Sequence, residues 1–209
     1  MKKFLFLLVI PFMMGTGSKA QTMDRQKMIQ QVQSDVQEWL LKIPGGNEQG
    51  YGFANRDEFS QAKLGKQYKV YTLTGDFFKE ELRPGKSYLV ATGEWRIPLV
   101  VNQVNRALIT VNERENQWKI VSLGARVLAG ELQEFDRYPE LVKNSDLTLL
   151  RVYQLQSDFL LSGDPSSSAT EVSVYPMHSA ILNMTKLKES AGIKMGLNEL
   201  LSDIKESIR

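Results

Sequence analysis

Between Met28 and Ile43 the apolar residues fall three and four positions apart, at Met28, Ile29, Val32, Val36, Trp39, Leu40 and Ile43, with Gln30, Gln31, Gln33, Asp35, Gln37 and Glu38 between them. This is the spacing of an amphipathic helix. It constrains the rest of the chain, because a helix that is apolar on one side must cover something. Thr22 or Asp24 supplies a cap at its start. Pro44-Gly45-Gly46 stops it and opens a glycine-rich loop from Gly45 to Phe53.

The surface to be covered comes next. Tyr68 to Leu73 and Tyr88 to Thr92 are rich in β-branched and aromatic residues, and the connection between them carries Thr74-Gly75-Asp76 and Pro84-Gly85. Trp95 to Val101, Arg106 to Asn112 and Gln117 to Leu123 come after them, separated by Asn102 to Asn105 and Glu113 to Asn116, polar connections short enough for antiparallel hairpins. Pro98 has no amide donor, which places its strand at a sheet edge or at a bulge. Val127, Leu128, Leu132 and Phe135 then predict a short helix ending before Pro139. Leu147 to Leu155 and Phe159 to Leu161 read as strand, Gly163 to Ser168 as a loop, and Val172 to Pro176 as its returning strand. Leu197, Leu200, Leu201, Ile204 and Ile208 predict a terminal helix starting near Gly196 or Asn198.

The expected fold is α+β: an N-terminal amphipathic helix packed on a mainly antiparallel β-meander, a smaller C-terminal strand pair and a terminal helix. A helix laid across a meander resembles the cystatin-like or NTF2-like layout. No residue motif accompanies the resemblance, so it assigns no functional residues.

Ahead of the helix, Lys2 and Lys3, the apolar run Phe4 to Met14 and Ser18-Lys19-Ala20 have the three parts of a secretory signal peptide. The expectation is a leader over residues 1–20 and one globular domain over 21–209, with a sub-boundary near 140–146. The apolar run is shorter than the roughly 20 residues of a spanning helix, and no cysteine follows it to carry a lipid. A soluble bacterial protein of the periplasm or the extracellular medium is implied. Loss of Lys2, Lys3 and Lys19 leaves 23 basic against 24 acidic residues. The mature chain is therefore near neutral, without the footprint of a nucleic-acid or anionic-membrane binder.

The chain has no cysteine, which excludes disulfides, thiol catalysis and thiolate zinc sites. His178 is the only histidine, so a Ser-His-Asp hydrolase would have to use it, yet no G-x-S-x-G elbow presents a nucleophile. Imidazole metal sites need more than one histidine. Asp146, Asp158 and Asp164 flank loops but do not form an all-oxygen calcium run. Asp57 with Glu58, Glu80 with Glu81, and Glu131 with Glu134 are the carboxylate pairs open to glycoside chemistry. Neighbouring carboxylates point apart on a strand or a helix, and only Glu131 and Glu134 would share a face. Gly50-Tyr51-Gly52 begins like a dinucleotide loop, but no strand precedes it and no third glycine follows.

The expected function is non-catalytic binding with no cofactor and no metal. The ligand would be a protein, a peptide or a glycan, met by Tyr51, Phe53 and Trp95, aromatics in turn-rich places; each could equally belong to the core, and the reading favoured for Tyr51 and Phe53 is a lid folded back on it. An inhibitor or chaperone-like partner of an exported enzyme, docking through the Pro98 edge, is the alternative. A small hydrolase using His178 is the second alternative.

Overall fold

The apolar stripe lies on a helix, α1 (Gly17–Leu41), in a computed structural model that describes residues 17–142, 146–165, 172–185, 187 and 194–208. Met28, Val32, Val36 and Leu40 are buried. Thr22 and Asp24 fall inside α1 and not at its first residue, and Ser18 to Gln21 contain no proline or glycine to interrupt the helix. The leader expected over residues 1–20 lies, as far as residue 16, outside the described residues.

Among the described residues, nine strands form one sheet. They are β1 (Lys63–Leu64), β2 (Tyr68–Leu73), β3 (Leu89–Val101), β4 (Val104–Arg114), β5 (Gln117–Gly124), β6 (Leu147–Val152), β7 (Ser157–Ser162), β8 (Ser173–Pro176) and β9 (Met195–Gly196). Their order is β5-β4-β3-β2-β6-β7-β8-β9, with β1 added beside β3. The pairings between them are antiparallel except β2 with β6, which run parallel through Lys69↔Thr148, Val70↔Leu149 and Tyr71↔Leu150. The architecture is mixed α+β on a large, mostly antiparallel open sheet with several helices. The C-terminal half supplies four strands to this sheet where the sequence predicts a smaller strand pair. β6 and β7 are buried along almost their whole length because both of their faces are covered.

Local backbone chemistry sets the hairpins. Asn102 and Gln103 join β3 to β4 with φ of 50° and 65°, and Glu115 and Asn116 join β4 to β5 with φ of 53° and 61°. Two successive left-handed residues are the two-residue turn that matches strand twist. Tyr88–Thr92 and Trp95–Val101 read as two strands but form one, β3, bent where its register against β2 shifts. Gly93, at φ 81°, occupies the bend.

The Pro98 strand is an inner strand and not an edge. β3 lies between β4 and β2. Pro98 faces the break between β1 and β2, where Gly65 N–H donates to its carbonyl at 2.8 Å. A strand residue's N and O point to the same side, so the missing donor falls where no ladder acceptor requires it. A bulge follows between Leu99 and Val100. The true edge, β5, has its Trp118 N–H taken by Gln31 Oε1 of α1 at 2.9 Å.

Helices cover both faces. Under α1 lie Trp95, Ile97, Leu99, Ile109 and Val111. Strand alternation puts Leu150, Val152, Phe159 and Leu161 on the same side, packed with α2 (Gly75–Lys79), α5 (His178–Asn183) and α6 (Leu197–Ile208). Lys205 of α6 donates to the Glu80 carbonyl at 2.8 Å and to that of Phe77, closing the end of α2. The opposite face carries Tyr68, Leu108, Leu149 and Leu160 beneath α3 (Arg126–Glu134) and α4 (Pro139–Val142).

Gly52 has φ 95°, and a Cβ there would stand 2.0 Å from the Arg106 carbonyl oxygen. Gly46 has a similar φ of 86° but open space around it. Gly52→Ala should therefore cost at least about 2 kcal/mol, and Gly46→Ala about 1 kcal/mol from backbone strain alone. Thermal unfolding of the two variants checks this; equal losses would remove the steric argument.

Candidate cleft between helices α3 and α5

Helix α3 is pinned from one side. Gln133 Oε1 accepts from Asn105 N–H at 3.0 Å, its Nε2 donates to the Gln103 carbonyl at 2.8 Å, and Asn105 Nδ2 donates to the Ala129 carbonyl at 3.2 Å. Ala129 and Leu132 face the core. The remaining face of α3 presents Val127, Glu131 and Glu134, and Val127 is 64% exposed although it continues the apolar spacing read from sequence. The chain then turns through Phe135–Arg137 to Tyr138, with Phe135 edge-on to Tyr175, ring centroids 5.9 Å apart.

Across from α3, β8 ends in Pro176, and after Met177 α5 begins at His178. Between them is a cleft of about 570 Å³, walled by Val127, Tyr138, Met177 and Ile181 and carrying Glu131, Glu134, Arg137 and His178. Arg137 pairs loosely with Glu134 at 3.8 Å on the exposed rim. Glu131 sits deeper. Burial pushes its carboxyl above the ordinary carboxylate value, opposed by the His178 backbone N–H directed at it and by the nearby imidazole; Asp158 and Glu134 add to the upward push.

The wall at α5 is held from beneath by Asp158. Its carbonyl accepts from Met177 N–H at 3.2 Å and its N–H donates to Ser179 Oγ at 2.9 Å. The residue is 4% exposed, and its carboxylate lies between two guanidiniums, Arg96 at 3.3 Å and Arg151. A buried charge held in this way is costly to unpair.

The structure separates the residues that the sequence singles out. Phe53 is buried, edge-on to Phe59 with centroids 5.1 Å apart, and Trp95 is buried with the Arg25 guanidinium 5.3 Å from its ring. Tyr51 is half-buried against the same core. All three lie on the α1 side of the sheet, away from the cleft. Their aromatic surface packs against α1 and its loop, the lid arrangement for Tyr51 and Phe53 and the core alternative for Trp95. His178 is exposed and reaches the cleft, and Glu131 and Glu134 share the cleft-facing side of α3. Glu58, by contrast, accepts from Ala54 N–H at 2.7 Å and pairs with Arg106, tying down the loop after α1. Asp158 is engaged by arginines, and no cluster of three metal-ligating side chains occurs among the described residues. Tyr138 and Ile181 are cleft residues the sequence does not flag. The one signal available is helical spacing that continues past the core-facing positions of α3.

These electrostatics predict two outcomes. Asp158→Ala leaves two partly buried guanidiniums without their shared partner and should cost about 3 kcal/mol, whereas Glu38→Ala, which breaks the exposed pair with Lys42, should cost less than about 0.5 kcal/mol. Denaturant titration distinguishes them. Glu131 is raised in the folded state, so its contribution favours folding below its ordinary value of 4.5 and is lost as pH rises through the raised folded value. Glu131→Gln keeps an acceptor for His178 N–H and should flatten that decline; a pH series of melting temperatures with unchanged slope would contradict it.

No helix among the described residues is long and apolar enough to cross a membrane. Comparison with known protein families, curated proteins and solved structures returns no match to this chain.

Proposed function

We propose that this chain is an exported, non-catalytic binding protein whose ligand enters the cleft between α3 and α5. The observation that carries the reading is the cleft itself. Its volume of about 570 Å³ falls in the range of small-molecule and peptide side-chain sites, and its apolar walls with a few polar groups have the composition of such sites. Val127 and Tyr138, two of the large apolar side chains the fold leaves exposed, both lie in it, and clustered exposed apolar surface marks a place of interaction. Export rests on the leader read at residues 1–20. The long helix over the β2–β5 ribbon resembles the cystatin-like and NTF2-like layouts, with β6–β9 added beyond it.

Binding is favoured over hydrolysis because the groups near His178 are already occupied structurally. Ser179 Oγ accepts from Asp158 N–H, and Glu131 accepts from the His178 backbone. Neither arrangement is a hydroxyl poised against an imidazole. Docking of a partner strand is disfavoured because β3 is an inner strand and Gln31 occupies an edge donor of β5.

Val127→Lys places a charged chain in the cleft at a position already open to solvent, so it should leave the melting temperature within about 2 °C of the parent. It should abolish the thermal shift produced by any small ligand or peptide that the parent binds. Trp95→Phe, on the other face, should leave that shift intact. A ligand whose shift survives Val127→Lys and disappears in Trp95→Phe would move the site to the α1 side.

A further inference from the structure

We infer that the ligand of this cleft carries a cationic nitrogen on an apolar body, and that the Glu131 carboxylate receives it. The inference rests on the proposed binding cleft and adds the chemical class of its occupant. The first ground is charge. Of the acidic groups at the cleft, Glu134 is exposed and shares Arg137, whereas Glu131 stands further in, beside Met177 and His178. A carboxylate offers about four acceptor positions, and one is directed at the His178 backbone N–H. The remaining lone pairs face a cleft with apolar walls, whose other charged or titratable groups are Glu134, Arg137 and the His178 imidazole.

The second ground is the environment. Half-buried among apolar walls, Glu131 bears a desolvation cost in the empty protein. A ligand ammonium that pairs with it there would relieve that cost, and the apolar body it carries would displace water from around the pair. A ligand carboxylate would meet the opposite: repulsion from Glu131 and Glu134 with Arg137 held on the rim. The walls supplied by Val127, Tyr138 and Ile181 fit an alkyl or aromatic body attached to the cation. A free amine, an amino-terminal residue with an apolar side chain, and a lysine side chain all present this chemistry.

The test uses three probes of matched apolar length, hexylammonium, hexanol and hexanoate, titrated into the full protein at neutral pH and read by calorimetry and amide chemical shifts. The expected result is binding in the order hexylammonium, hexanol, hexanoate. The first should exceed the second by about tenfold, the ratio that one charge-assisted hydrogen bond supplies. Glu131→Gln should bring hexylammonium down to hexanol while leaving hexanol unchanged, and Glu134→Gln should leave the preference in place. Val127→Lys should weaken all three. Equal binding of hexylammonium and hexanol by the parent, or a preference that survives Glu131→Gln, overturns the inference and leaves the cleft as an apolar site. Failure of all three probes to shift cleft amides overturns the proposed cleft and this inference together. A leucine amide with a free amino group and its N-acetyl form then distinguish sources: a preference for the free amine points to a peptide terminus.

Discussion

In the sheet, the two halves of this molecule meet along three residue pairs. Lys69, Val70 and Tyr71 of β2 run parallel to Thr148, Leu149 and Leu150 of β6. Within each half the pairings are otherwise antiparallel. A parallel junction cannot be made by a hairpin, so the chain must leave β5 at one edge, pass over the strands already laid down and enter beside β2. The crossover from Ala125 to Asp146 contains α3 and α4. It crosses the face opposite α1, because α1 already covers Trp95, Ile97 and Ile109 on its own side. The seam thereby decides that both sheet faces are buried and that α3 comes to lie near the β8–α5 turn of the second meander.

Much of the local structure is legible in the sequence because it rests on local chemistry. The stripe from Met28 to Leu40 and the terminal repeat from Leu197 to Ile204 carry helical periodicity, and the run from Tyr68 to Leu73 carries the β-branched and aromatic residues of the strand it forms. Sequence and structure part where a tertiary contact overrules a local signal. Thr22 and Asp24, good cap residues, lie within a helix that runs back to Gly17. Pro98 is tolerated in an inner strand because the neighbouring chain breaks at Gly65–Gln67. Gly93 looks like an ending and is only a bend. Tyr153–Leu155 continues the apolar run of β6 but forms a tight turn, with Gln156 at φ 49° leading into β7. β9 is two residues long, too short for periodicity to announce it.

The cleft is not legible, for a different reason. Glu131 lies in the crossover and His178 after β8 in the second meander, and nothing near either residue refers to the other. Glu131 and Glu134 do share a helix face, as their spacing predicts, but a solvated face has the same spacing. What separates the two carboxylates is depth, which depends on α5 standing opposite. α5 in turn is fixed by Asp158, whose backbone engages Met177 and Ser179 while its carboxylate reaches Arg96 and Arg151 on other strands. Tyr51, Phe53 and Trp95 stand out in sequence because they sit in a loop and at a strand start, yet the glycines beside Tyr51 and Phe53 serve to fold those rings inward.

The hydrogen bond from Trp118 N–H to Gln31 has a meaning beyond the packing of α1. β5 is an eight-residue strand at the end of the sheet order, and its outward amides and carbonyls match those of any extended chain that drifts alongside. At the other end β9 offers only two residues for pairing. The sheet is thus blunted by brevity on one side and by a helix side chain on the other. A cut that releases α1 frees the longer side and uncovers the apolar row beneath it in the same event, turning a closed fold into a template for growing fibres.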